Sequence, residues 1–300
     1  MGVFRVQLPA TSANLGAAFD TAAVALGLHL KVEAETAEVF SIEATGRNVN
    51  LCARLEDNLI LDTYRGLLVR EGRVPVPLAL RMENQIPLGM GCGSSAAGRL
   101  AAIALADHFG RLGWTSEKIL TEACLQEGHP DNAAACWLGG MVVAACEGEI
   151  IHVAKVEPPR NWRAMLVMPD DPLATSKARS ILPANFSQAD VVANIQAAAL
   201  LGLAFGQGRS DLIRPAMRDR IHQPFREEIC PLLPALLPLA GHHGILGVAL
   251  SGAGPSVLLI LSDQEAEVEA KAAVEIAVDT AIETVTVDFE SRGGCSSIET

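Results

Sequence analysis

At 300 residues, half of them hydrophobic and only 4% aromatic, the chain can bury a large core of alanine, valine and leucine in one large domain or two modest ones. Its formal net charge of −12 argues against nucleic acid and anionic membrane surfaces as partners, because both are gripped by clustered Lys and Arg. The seven cysteines (52, 92, 124, 136, 146, 230 and 295) are odd in number, form no CxxC, and read as small core residues of a reducing, cytoplasmic compartment.

Residues 3–8 alternate apolar and polar and predict a strand, closed by Pro9, with TSANLGAAFD following as a polar loop. The opening MGVFRVQLPA has no apolar signal core. Residues 26–34 and 39–44 read as a strand pair. Residues 58–70 have helical spacing, with Asp57 as N-cap. Residues 76–84 predict a strand, followed by the glycine-rich PLGMGCGSSAAGRLAAIALAD and a helix over 95–109. A second helix spans 116–125, capped by Ser116. The prolines of EPPRNW at 157–162 mark a boundary between two domains, 1–160 and 161–300. Beyond it come a strand at 164–168, an apolar helix at 189–205 and a helix at 231–242 opened by Pro231. Strands at 246–250 and 256–261 flank SGAGP. The apolar run 245–261 is too short and too broken by Gly and Pro to span a membrane. An amphipathic helix at 263–278 and a last strand at 284–289 complete an α+β pattern without internal repeats.

The glycine stretch carries the most chemistry. Gly89, Gly91 and Gly93 permit positive φ and close backbone approach. Ser94 and Ser95 then open a helix whose first amides lack partners and whose dipole places roughly half a positive charge there. A phosphate fits that position without a lysine, and the two hydroxyls can reach phosphate or a magnesium ion. A glycine turn before a helix is also common in proteins that bind nothing. The run lacks the GK[ST] of the Walker loop and the acidic partner of a dinucleotide site.

PLGMGCGSSAA resembles the phosphate loop of the GHMP kinases. PATSANLGAAFD at 9–20 resembles that family's N-terminal substrate motif, and LSGAGPSVLLI at 250–260 its C-terminal glycine motif. Three motifs in order, spanning most of the chain, are more specific than any one. EGHPDNAAACWLGG (127–140), TSKARSILP (175–183) and DRIHQPFR (219–226) resemble the branch of the family acting on L-homoserine. The resemblance implies an N-terminal domain with the ribosomal-protein-S5-like fold, a ferredoxin-like C-terminal domain, and an active site between them. It implies transfer of the γ-phosphoryl group of ATP to the side-chain hydroxyl of L-homoserine in threonine biosynthesis, and it allows a homodimer. Two departures stand out: Ala17 and Ala18 replace the usual Pro-Gly, and Ala133 to Cys136 replace the usual Val-Ala-Pro.

By the same resemblance, Pro87, Leu88, Gly89, Met90, Gly91, Cys92, Gly93, Ser94, Ser95, Ala96 and Ala97 bind ATP, Cys92 as a neutral filler. Asn58 touches the adenine, although an ordinary first helical turn explains it as well. Ser95 and Glu127 hold Mg2+, which typically takes one or two protein oxygens plus phosphate and water. Arg179 and Arg226 take the substrate carboxylate, and Asp20 faces the ammonium. Gly254, with Gly252 and Ala253, brings the second domain's backbone close. Asn14 and Asn132 complete the substrate contacts and join Glu127 as catalytic residues. Asn132 positions the substrate, and the base is unassigned among His129, Asp131 and none. Without the motifs, these residues read as surface arginines, a turn asparagine, a helix-capping aspartate and a helix-end glutamate. Two rival functions remain: a GHMP kinase for an isoprenoid or sugar alcohol, and a non-catalytic relative that senses nucleotide or amino acid.

Overall fold

A computed structural model describes residues 2–299. Eleven strands and eleven helices build two sheets with helices packed against them. The first sheet has seven strands: β1 Val3–Ala13, β2 Ala22–Thr36, β3 Ser41–Gly46, β4 Leu78–Asn84, β5 Met141–Glu147, β6 Ile150–Val156 and β11 Cys295–Glu299. Its backbone order is β11-β1-β2-β4-β3. Fifteen residues long, β2 shares one edge between two partners: residues 30–36 pair with β4, and residues 22–24 with β5. The second sheet, β10-β7-β9-β8, is antiparallel throughout and comprises β7 Arg163–Pro169, β8 Ile245–Leu250, β9 Val257–Leu261 and β10 Ile282–Asp288.

On the first sheet lie α1 Val49–Cys52, α2 Leu59–Arg70, α3 Ser94–Gly110, α4 Ser116–Glu127 and α5 Asp131–Leu138. The central one is α3. Its run from Ala96 to Ala106 is buried almost without interruption, and alanines and glycines let α2, α4 and α5 approach from several sides. Arg70 of α2 makes a bidentate pair with Glu122 of α4, at 2.9 and 2.8 Å, which fixes the outer helices to each other. With the second sheet go α6 Thr175–Ser180, α7 Gln188–Gln207, α8 Ser210–Ala216, α9 Gln223–Arg226, α10 Leu232–Leu236 and α11 Ala266–Ala277. By length and composition α7 could cross a membrane. It is tied into the folded body, however: its buried Asn194 donates to the Ala17 carbonyl at 2.6 Å and accepts from the Arg220 amide at 2.9 Å.

Several local expectations are corrected. Pro9 does not end β1. The strand shifts register between Pro9 and Ala10 and continues, so Thr11 and Ser12 are buried strand residues rather than loop. The segments at 26–34 and 39–44 are strands but not partners, because β3 pairs in parallel with β4. Asn58, not Asp57, caps α2, its side chain accepting from Ile60 N and Leu61 N. Thr115 caps α4, while Ser116 accepts from Trp137 Nε1. The 231–242 helix stops at Leu236 and gives way to a single tight turn at Leu237–Leu239 containing Pro238. The strand expected to be last is followed by β11, which pairs antiparallel with β1.

Candidate active site

The glycine loop is held by its carbonyls. The Gly89 carbonyl accepts from Leu173 N (3.0 Å), that of Gly91 from Ser251 Oγ (2.8 Å) and that of Cys92 from Thr11 N (3.1 Å). Three distant segments thus pull the oxygens outward. Ala97 N donates the first helical bond, to Gly93 O, so the amides of Ser94, Ser95 and Ala96 precede the α3 ladder and are available to an anion.

Gly91 and Gly93 have φ of 73° and 70°. A Cβ on Gly91 would overlap the Ser251 carbonyl oxygen, and one on Gly93 would overlap Thr11 Oγ1. These glycines are therefore required by protein neighbours as much as by any ligand. Gly93→Ala is expected to cost at least about 2 kcal/mol in a urea melt, from left-handed strain plus the displaced Thr11. Gly148→Ala, at φ 61° with open space around it, should cost only the strain. Equal losses at the two positions would show that the Thr11 contact contributes nothing.

Two cavities meet at the start of α3. One, about 320 Å3, is polar and lies between the loop, β1, α5 and α6; Ser94, Ser95, Glu127, Asn132, Arg179 and Arg226 are among its walls. The other, about 300 Å3, is largely apolar, with Leu30, Leu59, Ile60, Met82 and Leu88 in its lining. Ser94 and Ser95 border both. The pair has the shape of a site for an amphipathic ligand with an apolar ring and an anionic tail crossing the helix start.

At the junction, Ser95 Oγ donates to Glu127 Oε1 at 2.7 Å. Arg99, one turn further along α3, places Nε 2.6 Å from the same oxygen. The Glu127 side chain is only 9% exposed. A hydroxyl and a carboxylate side by side at a positive helix end form a hard-oxygen donor set that suits Mg2+.

The far end of the polar cavity is a charge array. Arg179 makes a bidentate pair with Asp20, at 2.9 and 2.6 Å, which raises its already high pKa. Arg226 is 1% exposed. Its Nε donates to Ala178 O (3.0 Å), and Nη1 donates to His222 Nδ1 (3.0 Å). His222 Nε2 in turn donates to Gly16 O (2.8 Å), so His222 is the neutral tautomer with its proton on Nε2. Burial depresses the His222 pKa, in keeping with that neutrality. Burial, and then the neighbouring Arg179, also push the Arg226 pKa down. Phe19 lies between the two arginines, each guanidinium carbon 5.5 Å from its ring centroid.

Asn14, at φ 70°, uses its amide as a strap: Nδ2 donates to Gly252 O (2.8 Å) and Oδ1 accepts from Asp20 N (3.0 Å). Asn132, which borders the cavity, accepts at Oδ1 from Thr11 Oγ1 (2.7 Å) and donates from Nδ2 to Asp131 Oδ1 (3.3 Å). His129 Nδ1 lies 2.6 Å from Asp131 Oδ1, which also accepts from Asn132 N. Burial opposes charge on His129, but the bond to Asp131 and its charge outweigh this and raise the His129 pKa.

Of the residues singled out in the sequence, Asn14, Asp20, Gly89, Gly91, Cys92, Gly93, Ser94, Ser95, Ala96, Glu127, Asn132, Arg179 and Arg226 border the polar cavity. Asn58 and Leu88 border the apolar one, although the Asn58 amide already serves Ile60 N, Leu61 N, Cys52 O and Arg54 O. Pro87, Met90, Ala97 and Gly254 border neither cavity. Ala97 is core, and Gly254 backs onto Cys230. Cys92 is buried, its thiol pushed up to about 12, which makes it inert. Sequence reasoning missed Arg99, Thr11, Phe19, Thr175 and His222. Two had a usable signal: Arg99 follows Ser95 by one turn, and His222 precedes Arg226 by one turn.

Family models match on both sides of this cleft: GHMP kinases N terminal domain over residues 58–140 and GHMP kinases C terminal over residues 198–279. The chain belongs to the GHMP kinase family. Within it, the homoserine kinases are its kin. It is 41% identical to the homoserine kinase of Solibacter usitatus over 257 residues, 85% of this chain and 84% of that one. It is 36% identical to that of Deinococcus radiodurans over 85% and 83% of the two chains. The fold agrees with the crystal structure of homoserine kinase from Cytophaga hutchinsonii at a TM-score of 0.83 and 24% identity, covering 99% and 98% of the chains. The α+β architecture expected from the sequence is the one found.

Proposed function

We propose that the chain transfers the γ-phosphoryl group of ATP to the side-chain hydroxyl of L-homoserine, forming O-phospho-L-homoserine for threonine biosynthesis in the cytoplasm. The observation that carries this reading is the pairing of Asp20 with Arg179 beside Arg226, in the cavity that also contains the start of α3. A free amino acid presents one ammonium and one carboxylate. It can insert into the Asp20–Arg179 pair and exchange each charge for its own counterpart, with the second guanidinium of Arg226 adding to the carboxylate's grip. A sugar brings neither charge, so Arg226 would gain no carboxylate and the Asp20–Arg179 pair would stay closed; mevalonate brings a carboxylate but no ammonium to replace Arg179 at Asp20.

The apolar cavity takes the adenine, and the amides of Ser94 to Ala96 face the phosphates. Ser95 and Glu127 are the residues that would hold Mg2+, which neutralises phosphate charge when bound. Phosphoryl transfer has a loose transition state, so the protein's task is alignment and neutralisation rather than early proton removal. Asn132, braced by Thr11, orients the acceptor hydroxyl; Asn14 holds Asp20 and Gly252 in register; no general base is assigned. All these residues come from one chain, so the proposal does not require a homodimer. The seven cysteines are all free thiols, consistent with a reducing compartment.

The test is turnover with ATP on a panel of L-homoserine, mevalonate and galactose. Product from homoserine alone is expected. Product from mevalonate or galactose alone would point to another branch of the family, and no product from any would favour a non-catalytic sensor.

A further inference from the structure

The phosphate cleft has no lysine, but it does have a cation. Arg99 stands four residues after Ser95 on the same face of α3, and its side chain is 27% exposed into the polar cavity. Its Nε–H and the Ser95 hydroxyl both donate to Glu127 Oε1, at 2.6 and 2.7 Å. The remaining guanidinium is lightly used: Nη1 reaches only Gln126 Oε1, at 3.5 Å, and Nη2 has no partner among the described residues. Among the described residues, Arg99 is the only basic side chain paired with Glu127, and it borders the same cavity as Ser94, Ser95 and Ala96 at the start of α3.

We propose that Arg99 is the resident cation of the phosphate cleft, a positioning residue with two alternating partners. With the cleft empty, it neutralises Glu127 and holds the carboxylate against Ser95. With a nucleoside triphosphate present, its free Nη groups serve the phosphate oxygens, and Glu127 is released to the divalent ion. The argument is one of charge. A triphosphate entering beside an unpaired Glu127 would meet a like charge, and Arg99 removes that repulsion before any metal arrives. Sharing Glu127 with Arg99 also makes it a weaker ligand for a free divalent ion, so metal enters with nucleotide rather than ahead of it. This rests on the proposed nucleotide site.

The experiment compares ATP binding by calorimetry in EDTA and in saturating Mg2+ for the native chain, Arg99→Leu and Arg99→Lys, with Mn2+ binding in the absence of nucleotide as a second readout. Arg99→Leu is expected to weaken ATP binding about tenfold or more in EDTA and only a few-fold in Mg2+, while free Mn2+ binds several-fold tighter. Arg99→Lys should recover most of the EDTA affinity, because it restores the charge without the fork. An equal loss in both buffers, or unchanged ATP affinity in EDTA with unchanged Mn2+ affinity, would overturn the role of Arg99 and leave the nucleotide site standing. A native chain that binds ATP in neither buffer would overturn both.

Discussion

Glu127→Gln is expected to lower kcat by about a thousandfold, some 4 kcal/mol of transition-state stabilisation, and to raise the Mg2+ concentration needed for half-maximal rate at least about tenfold. The substitution is nearly isosteric. Ser95 Oγ can still donate to the amide oxygen, so the start of α3 need not move. What disappears is the negative charge that a divalent ion would use and that Arg99 now faces. Stability should fall by about 1–3 kcal/mol, since Glu127 is largely buried and Arg99 loses its charged partner while the amide keeps the hydrogen bonds. ATP binding in EDTA should be no weaker than in the native chain, because the change removes a like charge next to the phosphates. Steady-state rates across a magnesium series check this. Unchanged turnover at limiting magnesium would remove Glu127 from the metal site.

Arg226→Leu is expected to raise the homoserine KM by about a hundredfold or more and to leave the ATP KM within a few-fold. Arg226 is buried, borders the polar cavity and is held by Ala178 O, His222 Nδ1 and, at 3.5 Å, Gly252 O, which leaves Nη2 without a partner among the described residues. A bidentate partner lost from a buried carboxylate site costs several kcal/mol, far more than an exposed pair. The same substitution strips Ala178 and His222 of a donor, and a stability loss of about 2 kcal/mol should accompany it. To separate the two effects, both proteins are assayed on 3-aminopropan-1-ol, which is homoserine without its carboxylate. Native and variant should then have similar, low kcat/KM. A variant that loses as much on this analogue as on homoserine would show that Arg226 acts through the fold and not on the carboxylate.

What was legible in the sequence was whatever is local. Alternation, glycine spacing and capping are carried by neighbours along the chain, so α3, its loop and most strands could be placed from residues alone. The errors came where a distant partner decided the outcome. Pro9 sits within β1 because β2 supplies the pairing and a register shift absorbs its missing donor. The parallel match of β3 with β4 and the return of β11 to β1 depend on contacts that no window of sequence contains. The site divides along the same line. Motif residues such as Asp20 and Arg226 were found through their flanking pattern. Arg99 was not, because a single arginine in an alanine-rich helix reads as a solvated face until Glu127 is seen to fold over it. The absence of a lysine from the glycine loop is legible in the sequence; the pairing of Arg99 with Glu127 is not.

The pairing of β11 with β1 has a consequence for biosynthesis. The ribosome makes β1 well before its outer neighbour β11, with every strand of the second sheet in between. Until β11 has been made, therefore, one flank of the first sheet has unsatisfied amides and carbonyls, and β1 is open to capture by other nascent strands. The N-terminal half can collapse early around α3, but its sheet is completed only after the second sheet's sequence has left the exit tunnel. Maturation of the first sheet thus waits on a strand made after the whole of the second.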